Sequence, residues 1–177
     1  TPTANFNGTD SFNVTLTAAL GGTTIQAIAL TITAVDDSAV ITGDTSGSGA
    51  EDSAITGTLA ATDTEGLTDG SVFSIADGNG PSNGTASINA ETGAWSYTPT
   101  ANFNGTDSFN VTITDDLGGT TTQSIALTIT AVDDSAVGTG DTSGSGAEDS
   151  AITGTLAATD PEALTDGTVF SIASGDT

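Results

Sequence analysis

Apolar and polar residues alternate with a period of two along most of this chain. Phe109, Val111 and Ile113 alternate with Asn110, Thr112 and Thr114; Ile125, Leu127 and Ile129 alternate with Ala126, Thr128 and Thr130. A half-buried strand produces this pattern. The same reading predicts a strand with Ile55, Gly57, Leu59 and Ala61 on one face. It also predicts a short strand at 72–75 that can bury either parity, and one carrying Ala86 and Ile88. After the turn Glu91-Thr92-Gly93 comes a strand with Trp95 and Tyr97. Residues 43–49 (GDTSGSG) read as a turn, too polar for core. With an edge segment near Val40 and Ile41, about seven strands fit one unit, the number an immunoglobulin-like sandwich needs. Thr, Gly, Ser and Asp interrupt every candidate helix. The expected fold class is all-β, with Trp95, the only Trp, filling the space between two sheets.

The pattern repeats. Residues 1–80 match residues 98–177 at a constant offset of 97, and 12 of the 80 aligned pairs differ. TPTANFNGTDSFNVT begins at Thr1 and again at Thr98, and TAVDDSAV at Thr33 and Thr130. A period of 97 residues is a whole domain, because solenoid turns run roughly 20–50. The expected organisation is tandem sandwiches: residues 1–35 as the C-terminal part of one repeat, 36–132 as a complete repeat, and 133–177 as the start of the next. Near-identical neighbours suit a structural array better than a set of adjacent enzymes.

Composition then narrows the chemistry. Asp and Glu number 23, Lys, Arg and His are absent, and the net charge is −23. There is no Cys or Met either. These absences exclude thiolate or imidazole zinc sites, cysteine and serine–histidine triads, Schiff-base lysines and disulfides. They leave no basic patch for nucleic acid, and anionic lipid would be repelled, so neither partner is expected. No apolar run approaches membrane-spanning length. Leu, Ile, Val and Phe total 35, a content at which disorder competes, but 36 β-branched Thr favour strands. Five Asn-x-Thr sequons, at Asn7, Asn13, Asn83, Asn104 and Asn110, arise readily by chance in so Thr-rich a chain. The available ligands are carboxylate, hydroxyl, amide and backbone, the set a hard cation such as Ca2+ takes.

Three features in order, a Trp-x-Tyr hairpin, the Asn-Phe-x-Gly-x-Asp-x-Phe corner and an Asp-Asp-x-Gly-Gly turn, run through GAWSYTPTANFNGTDSFNVTITDDLGG from Gly93 to Gly119. With the alternating final strand and the Val-Asp-Asp joint, the unit resembles the bacterial cadherin-like tandem repeats, including VCBS repeats, of very large secreted (RTX-type) adhesins. The resemblance implies a calcium-binding immunoglobulin-like fold strung in rods on a cell surface or in a biofilm matrix, with ions between successive domains. It also implies the ligands: Glu51 near the domain start, Asp63 and Glu65 in a turn like Ala-x-Asp-x-Asp, and Asp36 and Asp37 in the linker. At the next joint the matching residues are Asp133 and Asp134, Glu148, and Asp160 and Glu162. The linker departs from the family in having Ser38 and Ala39 where Asn and Pro are usual.

Electrostatics reaches the same residue type independently. Two carboxylates about 4 Å apart repel by roughly 1 kcal/mol in water and by more near protein. With no cation of its own, this chain must leave clustered acids exposed, protonate them, or hold a metal. The bland alternative is that they are solvated turn residues, which is the expectation for Asp44, Asp69, Asp77 and Glu91. Asp115 and Asp116 read equally as ligands or as a hairpin loop, and Ala18 and Ala19 replace them in the first copy. Asp107, like Asp10, either caps its corner or reaches the joint.

The function expected is a calcium-stiffened, extracellular spacer that holds a binding region away from the cell, its partners being neighbouring repeats of the same chain. One alternative is a subunit of a self-assembling filament or surface layer, joined to other copies in a fibre. A second is a carbohydrate-binding module, which needs an exposed aromatic platform. Carboxylate pairs also serve glycosidases, but acids repeated in the loops of every module do not point to an enzyme, and no catalytic residue is expected.

Overall fold

The structure, a computed structural model, describes residues 1–68, 70, 72–164 and 169–172. Among them there is no helix. Between residues 36 and 132 lie strands β3 (Val40–Gly43), β4 (Ser46–Ala50), β5 (Ile55–Thr62), β6 (Phe73–Ser74), β7 (Gly84–Ile88), β8 (Ala94–Pro99), β9 (Gly105–Thr114) and β10 (Thr120–Thr130). They form two four-stranded sheets, ordered β3-β5-β8-β7 and β4-β10-β9-β6. This is the architecture of an immunoglobulin-like sandwich.

The alternating strands bury the faces that their sequences predict. Phe109, Val111 and Ile113 of β9 and Ile125, Leu127 and Ile129 of β10 are all buried and meet Ile55, Leu59, Trp95 and Tyr97 from the other sheet. Trp95 is 2% exposed. Its ring stands edge-on to Phe109 at 5.9 Å and 71°, a favoured aromatic geometry. Its Nε1–H donates to the Asp44 carbonyl at 3.0 Å. Phe103 tucks beneath the corner and packs on this core. At the short strand both Val72 and Phe73 are buried, so neither parity is exclusive there.

One expectation is corrected. Residues 43–49 are not merely a turn, because Ser46–Ala50 forms β4, parallel to β10, with Ser46 opposite Ala126 and Ala50 opposite Thr130. Hydrophobic periodicity missed it because its inward positions are glycines. A Cβ on Gly47 would lie 2.8 Å from both Ile55 and Trp95, and one on Gly49 would lie 2.8 Å from Ile55. Neighbouring side chains therefore fill the space that an apolar residue would occupy. The chain leaves β3 in one sheet and enters β4 in the other at Asp44-Thr45, which ties the two layers together. Asp44 secures this crossing, since its Oδ2 accepts the Thr58 N–H at 2.9 Å.

Outside this unit, β1 (Gly8–Thr17) and β2 (Thr23–Ile32) form a hairpin with the register of β9 and β10 shifted by the repeat length. Phe12, Val14, Leu16 and Leu30 are exposed there, whereas their counterparts in β9 and β10 are buried. β11 (Val137–Gly140) and β12 (Leu156–Thr159) pair antiparallel, as β3 and β5 do.

Candidate functional site

The acids that the sequence singles out gather mostly in turns near residues 36 and 132. At the first place the linker meets two loops. Asp63 Oδ1 accepts the Glu65 N–H at 2.8 Å, a turn closed by its own side chain. Glu65 Oε2 in turn accepts the Asp37 N–H at 3.1 Å, which fastens the linker to that turn. In the β9–β10 loop, Asp115 Oδ1 takes the N–H groups of Leu117 and Gly119 at 2.8 and 3.0 Å. Its other oxygen shares the space over Gly119 with the Asp36 carboxylate. Asp116 receives the Thr68 N–H and hydroxyl, each at 2.7 Å. Asp36, Asp37, Asp63, Glu65, Asp115 and Asp116 are thus brought to one end of the sandwich.

Crowding shows in the titration of these groups. Burial pushes the Asp36 carboxyl above its ordinary value, and hydrogen bonding to Asp115 with repulsion from Asp115, Asp63 and Asp37 adds to it. For Glu65 the Asp37 amide pulls the pKa down, but burial, Asp63 and the Asp37 charge outweigh it and the net direction is up. Glu162 is also raised: the Asp134 amide pulls it down, and burial with Asp160 and Asp134 overcomes that.

The second place corrects the sequence reading of Glu51. That residue was grouped with Asp36 and Asp37, yet its Oε1 accepts the Val132 N–H at 2.7 Å, so it serves the linker that leaves the domain. The cause is β4: running parallel to β10, it delivers Glu51 beside the end of β10, where the Glu51 N–H donates to the Thr130 carbonyl at 2.9 Å. Glu51 is 2% exposed. Past the linker, Glu162 Oε2 accepts the Asp134 N–H at 3.0 Å, and Asp160 Oδ1 accepts the Glu162 N–H at 3.0 Å. Glu148 is not joined to this group: it is exposed, and among the described residues no hydrogen bond ties it to Asp133 or Asp134. Asp133 is likewise exposed.

Of the two readings of Asp107, its contacts are those of the corner cap, because its carboxylate is engaged there. Oδ1 accepts the N–H groups of Ser82 and Ser108 at 3.1 and 2.8 Å. Oδ2 accepts the Asn83 N–H at 2.8 Å and the Tyr97 hydroxyl at 3.1 Å. Burial would raise its pKa, but these four donors outweigh burial and lower it. Asp69 lies outside the described residues.

Two participants escaped sequence reasoning, Asp52 and Asn102. Asp52 Oδ1 accepts the Asn102 N–H at 3.1 Å, and the Asn102 side-chain amide donates to Asp134 Oδ2 at 2.8 Å. Both residues hold left-handed backbone, with φ of 58° and 59°, a conformation Asn and Asp tolerate best among residues with a Cβ. The signal in the sequence was the repeated Asn of the corner, at Asn5 and Asn102.

Three buried carboxylate oxygens have no hydrogen-bond partner among the described residues: Glu51 Oε2, Asp63 Oδ2 and Glu162 Oε1. Each belongs to one of the two acidic ends. Among the described residues no three carboxylates stand close enough together to hold a metal ion between them as they are. The acids are instead distributed over linker and loops on either side of each joint.

The family model for the bacterial Ig domain matches residues 36–128, more than half of the sequence. The chain belongs to the bacterial Ig domain family. The match covers most of this Ig domain's two four-stranded sheets. No curated protein matches the chain. Among solved structures, it is similar to an endo-fucoidan hydrolase of glycoside hydrolase family 107, with 22% identity over 74% of this chain and a TM-score of 0.37. It is similar also to domains 1–6 of the surface layer protein SbsC, with 14% identity over 86% of this chain and a TM-score of 0.41. The chain spans 20% of the first of these proteins and 28% of the second.

Proposed function

We propose that these Ig domains are spacer repeats of a large extracellular adhesin or matrix protein, joined and stiffened by calcium. The observation that carries the reading is Glu51. Its side chain is 2% exposed, one oxygen holds the Val132 amide of the linker, and the other has no partner. An ionised oxygen buried without a partner is costly, and no Lys, Arg or His exists in this chain to neutralise it. Glu162, across the same linker, is partly buried and its Oε1 is likewise without a hydrogen-bond partner among the described residues. A cation from solution would supply the missing partner. The donors are all oxygen, which suits calcium, a hard ion that takes six to eight oxygens in flexible geometry.

At the second joint the residues that would hold it are Glu51, Asp133, Asp134, Asp160 and Glu162. At the first joint they are Asp36, Asp37, Asp63, Glu65, Asp115 and Asp116. When bound, calcium supplies positive charge that neutralises the crowded carboxylates. The chain's own part is positional: Glu51 holds the end of one domain to the linker, and Glu162 holds the linker to the next. Drawing these sets together would fix the angle between domains and add the ion's binding free energy to folding. Affinities of about 10⁻⁴–10⁻³ M are usual for extracellular modules, which fits a location outside the cell.

The carbohydrate-binding reading needs an exposed indole, and Trp95 is inside the core. The test is thermal melting with small-angle scattering, with calcium and with chelator. We expect calcium to raise the melting temperature and lengthen the particle, and Glu51→Gln to weaken both effects. A melting temperature and particle length indifferent to calcium would remove the mechanism. Fibres that form with rising concentration would favour the filament alternative.

A further inference from the structure

Within the two turns that face the linkers, repeats that are otherwise nearly identical differ at two positions: Thr64 and Gly66 stand where Pro161 and Ala163 stand one repeat later. Gly66 lies against Asp116, so the residue between the two acids is the difference that faces the corner asparagine. The corner asparagine makes a different side-chain hydrogen bond at each joint. Asn5 and Asn102 occupy equivalent positions and share a left-handed backbone, with φ of 60° and 59°. Asn5 directs its side-chain amide to the Thr64 hydroxyl at 3.4 Å. Asn102 directs the same group to Asp134 Oδ2 at 2.8 Å. Proline has no hydroxyl to offer there, and Asn102 is further placed by Asp52 Oδ1, which accepts its backbone N–H at 3.1 Å. The backbone clasps are otherwise alike, with Asp37 on Glu65 at 3.1 Å and Asp134 on Glu162 at 3.0 Å. Among the described residues no donor reaches the Asp37 carboxylate, whereas Asp134 receives an amide.

We propose that the residue between the two acids of the turn tunes each joint. Pro161 leaves Asn102 to latch Asp134, while Thr64 draws Asn5 away and leaves Asp37 bare for a cation. The inference rests on the calcium-joint reading. An amide on Asp134 Oδ2 competes with an ion for that oxygen, so a latched joint binds calcium more weakly than the same joint unlatched. It also ties domain, linker and next domain together without metal, through Asp52, Asn102, Asp134 and Glu162. One repeat sequence can thereby supply joints that differ in their need for calcium. Asn102 is a positioning residue in this scheme, acting through Asp134.

The test uses the whole chain labelled for NMR, first without calcium and then titrated with it. Without calcium, Asp134→Ala and Pro161→Thr should each shift the Asn102 side-chain amide signals away from their hydrogen-bonded position. An amide signal unmoved by either substitution overturns the latch. On titration, Pro161→Thr should tighten calcium at the second joint by about threefold to tenfold, the worth of one ordinary net hydrogen bond. Thr64→Val, which removes the hydroxyl without imposing a ring, should weaken the first joint comparably. Calcium binding that occurs at wild-type joints but ignores both substitutions overturns the tuning alone. Amide signals that move as expected, in a protein that binds no calcium at either joint, overturn the calcium-joint reading and the tuning with it.

Discussion

Asp107 must satisfy a partly buried carboxylate with neutral donors, since the chain has no base to pair with it. Three backbone amides and the Tyr97 hydroxyl do so, and they fix the β7 approach, β8 and β9 to one another. Asp107→Ala should cost about 2 kcal/mol in chemical denaturation, the range for losing an ionised acceptor. Its pKa is lowered on folding, so the stabilisation is present above the unfolded value of about 4 and is lost as pH falls below it. In Asp107→Asn that acid-side loss should shrink. Tyr97 supplies the opposite limb. Burial, then Asp107, pushes its hydroxyl up to about 12. Its contribution is complete below the unfolded value of about 10 and disappears as pH rises through the folded one. Tyr97 is the only Tyr, so absorbance of the tyrosinate should titrate near 12 in the folded protein and near its ordinary value in denaturant. A native midpoint at the ordinary value would mean that the hydroxyl is not held as described.

At the scale of strands, legibility followed the side chains. β9 and β10 could be read directly, because Phe109, Val111, Ile113, Ile125, Leu127 and Ile129 fall at every second position and are all buried. β4 could not, because Gly47 and Gly49 carry no side chain to reveal a period, and their complement is the bulk of Trp95 and Ile55 on other strands. The consequence reached the candidate site. Without β4 as a parallel partner of β10, the sequence places Glu51 with Asp36, close along the chain, and not with Val132, 81 residues away. Asp107 stayed ambiguous for a related reason, since its four donors come from separate segments. Gly47→Val tests the strand reading. Its branched carbons would meet Ile55 and Trp95, and overpacking of this kind costs about 1–3 kcal/mol. The midpoint of urea unfolding, followed by fluorescence of the only Trp, should fall accordingly. An unchanged midpoint would show that β4 does not lie against the indole.

Taken as a whole, the molecule carries a charge of −23 with nothing positive among its side chains, and two explanations of any calcium effect must be separated. General screening weakens repulsion between exposed acids and depends on ionic strength, with a Debye length of about 10 Å at 0.1 M. Site binding depends on calcium itself, because buried oxygens such as Glu51 Oε2 are beyond the reach of a diffuse ion atmosphere. The two predict different results at matched ionic strength. Potassium chloride should raise the melting temperature a little and continuously, while millimolar calcium should raise it more and saturate. Magnesium should do less, since it demands octahedral geometry and sheds water reluctantly, which suits carboxylates scattered over a linker and two loops poorly. Glu51→Gln separates the effects further: it removes one charge of 23, so screening should hardly change, but the saturable response to calcium at the second joint should weaken. Equal stabilisation by potassium, magnesium and calcium at equal ionic strength would reduce the joints to ordinary acidic surface, with the sandwich between them intact.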